Sequence, residues 1–560
     1  MMQRKSRKSS NNDESRFRVT DEKKYSRKGE GKSSMLLCTI SFGALAFLFL
    51  CSLYFQQLGE TISSPAESKV NSLRKVQEVK KVQEVKKVQE VFTSGSEMVK
   101  QPKTLKEFYH KGPESLQLIQ DTLNGNPTIE GIIAVLQLFL NTMHQTQQDL
   151  SKIQTTPREI ADTVFGVIQN HLSSFDAVYR GRNIFHVKED DSIFISVAAY
   201  REHLLDQTLR FAFDNAANPD KLFIGAIVQN CFGLDGGDKP CRTGVEVVGT
   251  NKQGRPITKV SNAPPDVNGI EVFCADSKYT KYCDRNQIRV LYVDESEALG
   301  PAMARYLASK LWGGETYYMQ VDSHLQFAKN WDRDYIIEVK ATKNYPKSIL
   351  SSYPPGFTNS IGRSPGTKLC TCQFSTSDVE HSIIRINTGT NYIGDEQHPS
   401  QIAFIAAGFF FARAEFLKDV PFDPYLPWCF MGEEITLSMR AWTAGWNIYA
   451  PRRNLIAHQY RPGRMGLPKY WESVTRTWHR PGMNNIITNR VIKRIKHIVL
   501  YPEATLSQIT AENDRIMLSD VTHYGLGTER TGEEYLKLTN IDMKNKKCNH
   551  MTWCNQGTLA

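Results

Sequence analysis

The sequence has almost no surplus of charge outside its first 34 residues. Those 34 carry eleven Lys or Arg against five acids, most of the formal net charge of +10 for the 560-residue chain. The remainder is close to balance and offers no polyanion-binding excess, so no nucleic-acid partner is indicated. The sequence also lacks any Asn-x-Ser/Thr with x other than Pro, so N-glycosylation is not indicated. Cysteines at zinc-ribbon spacing are missing, since Cys370-Thr371-Cys372 is too tight for one. Lectin-like repeats are absent too, which argues against a purely carbohydrate-binding protein.

Long apolar runs are scarce, with one exception. Met35 to Phe55 is 21 residues without a charge, next to the basic tail. That is enough to cross roughly 30 Å of hydrocarbon as a helix. A cleaved signal peptide fits poorly, because the preceding basic region is long, the run is long and no clear small-x-small site follows. The expectation is a single-pass anchor with residues 1–34 cytosolic and 56–560 lumenal or outside. Hydrophobic and charged fractions of 40% and 23% are those of a globular protein, and the length allows two or three folded units.

Two of the eleven cysteines, Cys38 and Cys51, lie in the apolar run. Among the other nine, Cys231/Cys241, Cys274/Cys283 and Cys548/Cys554 are short-range disulfide candidates, and an odd count leaves one thiol over or paired between chains. After the anchor, Lys75-Val-Gln-Glu-Val-Lys80 repeats from Lys81 and Lys87. A six-residue period spirals its valines around a helix, so it reads as a solvated spacer rather than a coiled coil. Residues 128–155 differ, with Ile132, Ile133, Leu136, Leu138 and Leu140 in a helical pattern between Pro127 and Pro157. This helix either oligomerises or docks on the folded domain.

From Asp190 the texture becomes strand–helix alternation. Ile193–Ala198, Leu222–Val228, Ile288–Val293 and Thr316–Val321 read as strands, with helices over 201–216 and 300–312. The Gly-, Pro- and Cys-rich segment 231–286 reads as a loop insertion. Such alternation predicts an α/β fold with a largely parallel sheet covered on both faces, whose ligands bind beyond the C-terminal strand ends.

At one of those ends stands Asp322-Ser323-His324. Period-2 geometry puts the carboxylate and the imidazole on one side, a donor pair suited to a divalent cation such as Mn²⁺. The plain alternative is a polar strand end facing water. Three further clusters suit the same place. Gly300-Pro-Ala-Met-Ala-Arg305 opens a helix and offers backbone N–H groups and a guanidinium to an anion. Glu433 and Glu434 start another helix behind the aromatic, proline-rich stretch from Pro421 to Phe430. His458 ends a strand after Asn447–Ala450. Each also has an ordinary reading, as a helix start, a dipole partner or a structural histidine.

Together these motifs resemble those of nucleotide-sugar transferases of the GT-A type, and more closely the polypeptide alpha-N-acetylglucosaminyltransferases. That family includes the protein-hydroxyproline N-acetylglucosaminyltransferase. The resemblance rests on Phe194-Ile-Ser-Val-Ala-Ala-Tyr-Arg201, Gln320-Val-Asp-Ser-His-Leu-Gln-Phe327 with Trp331-Asp332, and Tyr524-Gly-Leu-Gly-Thr-Glu-Arg-Thr-Gly-Glu-Glu-Tyr535. The stretch from Phe430 to Arg461 is similar to the polypeptide N-acetylgalactosaminyltransferases, although those read Gly-Gly-Glu-Asn where this chain has Gly-Glu-Glu.

The resemblance implies a GT-A domain, a Rossmann-like mixed sheet flanked by helices, over residues 186–545. Before it would come a stem over 56–185 with possible homodimerisation, and after it a tail over 546–560. It implies Asp322, His324 and His458 as ligands of Mn²⁺ on the UDP diphosphate. Val197, Ala198, Ala199, Tyr200 and Arg201 would line the nucleotide pocket, Arg305 and Asp322 would contact the donor, and Glu433 and Glu434 would face the sugar or acceptor hydroxyl. The activity implied is transfer of N-acetylglucosamine from UDP-GlcNAc, with retained configuration, to Ser/Thr or hydroxyproline of a protein or glycoprotein in the Golgi or ER. Another UDP-sugar such as UDP-GalNAc or UDP-glucose, or an anchored carbohydrate-binding protein without turnover, are the alternatives. Trp428, Trp471 and Trp478 suit either an acceptor site or a core.

Overall fold

Three nearly continuous apolar runs and one strand of alternating burial make the parallel half of the central sheet: β1 (Ile193–Tyr200), β2 (Leu222–Asn230), β3 (Ile288–Asp294) and β4 (Tyr317–Val321), of which β3 is the alternating one. The structure, a computed structural model, describes residues 113–556 except 234–240, 243–245, 251–255, 260–261, 358–360, 363–364, 377–380, 388, 392–396, 461–482 and 512–514. The expected anchor at Met35–Phe55 and the period-six repeat lie outside the described residues. Among the described residues no helix is long and apolar enough to cross a membrane.

The sheet has eight strands. After β4 come β5 (Leu325–Phe327), β6 (Ser348–Ser351), β7 (Ser400–Ile402), β8 (Phe409–Arg413), β9 (Asn447–Ala450) and β10 (Ile456–His458). The sheet order is β7-β9-β6-β8-β4-β1-β2-β3, with β5 and β10 forming a separate two-stranded ladder. Strands β4, β1, β2 and β3 are mutually parallel, whereas β8 runs antiparallel to both β4 and β6, and β7 to β9. The sheet is therefore mixed, and the largely parallel expectation holds for one half. Strands β6, β7 and β9 are three or four residues long, too short for alternation to betray their direction.

Period-2 alternation sends each strand's side chains into two cores. Phe194, Tyr318, Phe410 and Ala412 enter one, while Ile195, Val197, Met319, Phe409 and Phe411 enter the other. Helices cover both faces: α1 (Ile129–Lys152), α2 (Pro157–Ile168), α3 (Leu205–Asp214), α4 (Pro301–Lys310), α5 (Trp331–Lys340), α6 (Glu433–Thr443) and α7 (Met483–Ile498). The apolar face of α1 docks within this chain, where Ile132, Leu136, Phe139 and Met143 share the first core with Leu291, Leu299 and Met303. At its far end His144 contacts Glu297, in the turn after β3.

Two expectations need correction. The 231–286 segment is more than a loop, since it contains helices over Gly269–Ala275 and Thr280–Asp284 and short hairpin strands. Cys231–Cys241 and Cys274–Cys283 pair as expected, but Cys548 and Cys554 do not pair with each other. They bind Cys372 and Cys370 instead, and the thiol left over is the buried Cys429. The folded chain brings the 370–372 segment beside the C-terminal turn, a proximity that spacing along the sequence does not encode.

Candidate functional site

Strand β4 ends at Val321, and the chain then bends through Asp322-Ser323-His324 before resuming as β5. The Asp322 and His324 donors converge through this bend rather than through continued strand geometry. Ser323 points inward and is buried, with its carbonyl accepting from the Thr208 hydroxyl at 2.9 Å. Strand β10 pairs antiparallel with β5, His458 opposite Leu325, and Gln459 N–H donates to the His324 carbonyl at 3.0 Å. That ladder sets the two imidazoles side by side, ring centroids 4.5 Å apart. One donor atom from each of Asp322, His324 and His458 lies within 4.8 Å of the others.

His458 Nε2 lies 3.0 Å from Asp322 Oδ2, and its Nδ1 is buried with no hydrogen-bond partner. His324 Nδ1–H donates to Glu202 Oε2 at 2.7 Å, which leaves Nε2 as the nitrogen that could ligate a metal. Desolvation works against the Asp322 charge, but the His458 hydrogen bond and the charges of Arg305, His458 and His324 outweigh it. Its carboxyl is held well below the usual carboxylate range. Burial lowers the His324 pKa, yet the hydrogen bond to Glu202 and the charges of Asp322 and Glu202 lift it above the ordinary imidazole value. A carboxylate oxygen with two imidazole nitrogens, one already bound to a second carboxylate, fits a divalent transition metal such as Mn²⁺.

Arg305, on the second turn of α4, links this cluster to the glutamates. Its Nη2 donates to Asp322 Oδ1 at 3.0 Å, and its Nη1 donates to Glu433 Oε2. Glu433 and Glu434 begin α6 directly after Gly432, whose φ of +95° favours glycine and where a Cβ would come within 2.9 Å of Ile495. The other Glu433 oxygen, Oε1, is buried without a partner. Glu434 differs, accepting from the Tyr353 hydroxyl and the Ala407 N–H. Burial pushes its pKa up to about 7 despite those donors, with Glu433 adding to the rise. On the far side of the cluster the Tyr460 ring lies 4.2 Å from the His458 ring.

The residues from Val197 to Arg201 sit at the end of β1. Val197 and Ala199 are buried in the sheet, and Ala198 and Tyr200 are partly exposed. The Arg201 guanidinium is held by Asp266, at 2.7 and 3.0 Å, and by Glu295 at 3.7 Å, while Tyr200 donates to Glu295 at 3.2 Å. Trp428 is buried, and Trp471 and Trp478 lie outside the described residues. Sequence reasoning missed Glu202 and Tyr353. Glu202 adjoins Arg201 at a strand end and was within reach of the motif, but Tyr353 carries no local signal.

The family profile Glycosyltransferase (GlcNAc) matches residues 192–545. No curated protein matches the chain. Among solved structures, GalNAc-T7 with UDP, GalNAc and Mn²⁺ is 14% identical with a TM-score of 0.35, over 64% of this chain and 59% of that one. The chain thus spans about three fifths of that structure's length. S. aureus TarS residues 1–349 with UDP-GlcNAc is 12% identical with a TM-score of 0.27, covering 60% of this chain and 84% of that chain. With a matching profile across more than half its length, the chain belongs to the glycosyltransferase (GlcNAc) family.

Proposed function

We propose that this chain is a metal-dependent, retaining glycosyltransferase of the GT-A type. In this reading it moves N-acetylglucosamine from UDP-GlcNAc to a hydroxyl of a protein acceptor. The observation that carries the proposal is the convergence of Asp322, His324 and His458 beside the Arg305–Glu433 pair. A divalent cation held by those three would supply Lewis-acid stabilisation to the diphosphate leaving group. His458 and Arg305 together keep Asp322 ionised, and Arg305 also holds Glu433 beside it. Glu433 Oε1, buried and unpartnered, is suited to accept a hydrogen bond from a sugar or acceptor hydroxyl. In the transfer, the acceptor oxygen bonds to the anomeric carbon as the bond from that carbon to the diphosphate oxygen breaks, and the acceptor's hydroxyl proton passes to that departing oxygen. Glu433 or Glu434 orients the attacking hydroxyl, and same-face attack leaves the configuration retained.

The hydrophobic run at Met35–Phe55 supports a type II anchor, with the catalytic domain in the lumen of the Golgi or ER. Four disulfides suit that oxidising side. A secretory Ser or Thr, or hydroxyproline, is the acceptor this placement favours.

The test is turnover of UDP-GlcNAc, UDP-GalNAc and UDP-glucose by the purified full-length chain, with Mn²⁺ or with chelator. Ser/Thr-rich and hydroxyproline peptides serve as acceptors. UDP-GlcNAc is expected to be preferred, and Asp322→Ala, His324→Ala and His458→Ala are each expected to lose at least about 1,000-fold in rate. No turnover of any UDP-sugar in Mn²⁺ would overturn the enzymatic reading, and preference for another donor would overturn only the sugar assignment.

A further inference from the structure

We propose that Glu202 is a positioning residue for the metal centre, fixing the tautomer and the orientation of His324. This rests on the metal reading above and adds to it a residue outside the three ligands. Strand β1 ends at Tyr200, and Arg201 takes a φ of +48°, turning the chain at the strand end. Arg201 is itself clamped by Asp266 and Glu295, so the turn that carries Glu202 is braced.

Glu202 is 7% exposed, and both its oxygens are engaged. Oε1 accepts from the Leu204 N–H at 2.8 Å and Oε2 accepts from His324 Nδ1 at 2.7 Å. A carboxylate pinned at one oxygen by backbone cannot follow a rotating imidazole. It therefore holds the His324 ring in one orientation with the proton on Nδ1, so Nε2 is the atom that faces the ligand cluster. The negative charge behind the ring also makes Nε2 a better donor.

The experiment is Mn²⁺ titration of the full-length chain by calorimetry, without a donor sugar, together with thermal unfolding in chelator. Glu202→Ala is expected to weaken Mn²⁺ binding about 10- to 100-fold. Glu202→Gln keeps an acceptor for Nδ1 and should recover part of that affinity, ending about 3- to 10-fold weaker than the parent. Parent binding that both variants match within twofold overturns the role of Glu202 and leaves the metal site standing. If Glu202→Ala does not fold, Glu202→Gln decides alone on the same twofold criterion. A parent chain that binds no more Mn²⁺ than Asp322→Ala overturns the metal reading, and the role of Glu202 with it.

Discussion

Tyr353 presents its hydroxyl to both carboxylate oxygens of Glu434, 2.8 Å from each. Burial, then the charge of Glu434, pushes the phenol's own pKa far up, so Tyr353 remains a donor at any working pH. Glu434 is in turn pushed up from 4.5 to about 7, chiefly by burial. The folded protein therefore keeps this proton to about pH 7, whereas the unfolded chain releases it near 4.5. The contribution to stability is fully present below 4.5 and is lost as pH rises toward 7, a change of ~3 kcal/mol. Urea unfolding of the parent and of Glu434→Gln across pH 4.5–8 checks this. The difference between the two should slope through that window and flatten above it. A difference independent of pH would remove the raised pKa.

Arg305 serves two carboxylates at once and is itself buried. Replacing it with methionine keeps much of the volume but strands Glu433, whose side chain is only 10% exposed. The expected cost is ~3 kcal/mol in urea unfolding, because breaking a buried pair leaves an uncompensated charge. Neutralising the partner as well, in Arg305→Met with Glu433→Gln, should return a large part of that loss. A single substitution costing under about 1 kcal/mol would mean that water reaches the pair and screens it.

Much of the site was legible because its residues come from chain segments with strong local signals. Asp322 and His324 follow a five-residue buried strand, Arg305 lies in a helix opened by Gly300-Pro301, and Glu433 follows a glycine at a helix start. Strands β1 to β4 were legible for the same reason, as runs of β-branched and aromatic residues bounded by polar turns. Glu202 and Tyr353 reach their partners only through tertiary contact. The short strands β6 and β7 exist because neighbours supply their hydrogen bonds, whereas β9 reads as a strand from the sequence. The exchange of partners among Cys370, Cys372, Cys548 and Cys554 depends on the position of the C-terminal turn in space, which no spacing rule contains.

Gly408 separates the demands of the fold from those of the site. Its carbonyl accepts from Asp322 N–H at 3.3 Å, and a Cβ built on it would lie 2.8 Å from Asp322 Oδ2. That oxygen is the end of a side chain and can swing away at small cost to the fold. It is also the oxygen facing His458, so swinging away spoils the ligand cluster. Gly408→Ala is expected to change the unfolding temperature by only about 2–4 °C. Its Mn²⁺ affinity and turnover should fall on the order of 10- to 100-fold. A large fall in unfolding temperature with Mn²⁺ affinity unchanged would mark Gly408 as a packing residue instead.

The two long-range disulfides are nested, Cys372–Cys548 inside Cys370–Cys554, so their contributions are non-additive in a way that can be measured. With either bridge intact, the loop of 176 or 184 residues stays closed, and removing the other opens only the short ring between the two bridges. Chain entropy assigns that short ring ~2–3 kcal/mol and the long loop a further ~5 kcal/mol. Cys372→Ser with Cys548→Ser, and Cys370→Ser with Cys554→Ser, should therefore each cost about a third of what the fourfold variant costs. Equal additive halves in urea unfolding would contradict the nesting. The segment they fasten also reaches the site, since Thr367 donates to the Tyr353 carbonyl at 3.0 Å and Tyr353 holds Glu434. Turnover should accordingly survive the loss of either bridge and fall when both are gone, as the strand carrying Thr367 loses its hold on that loop.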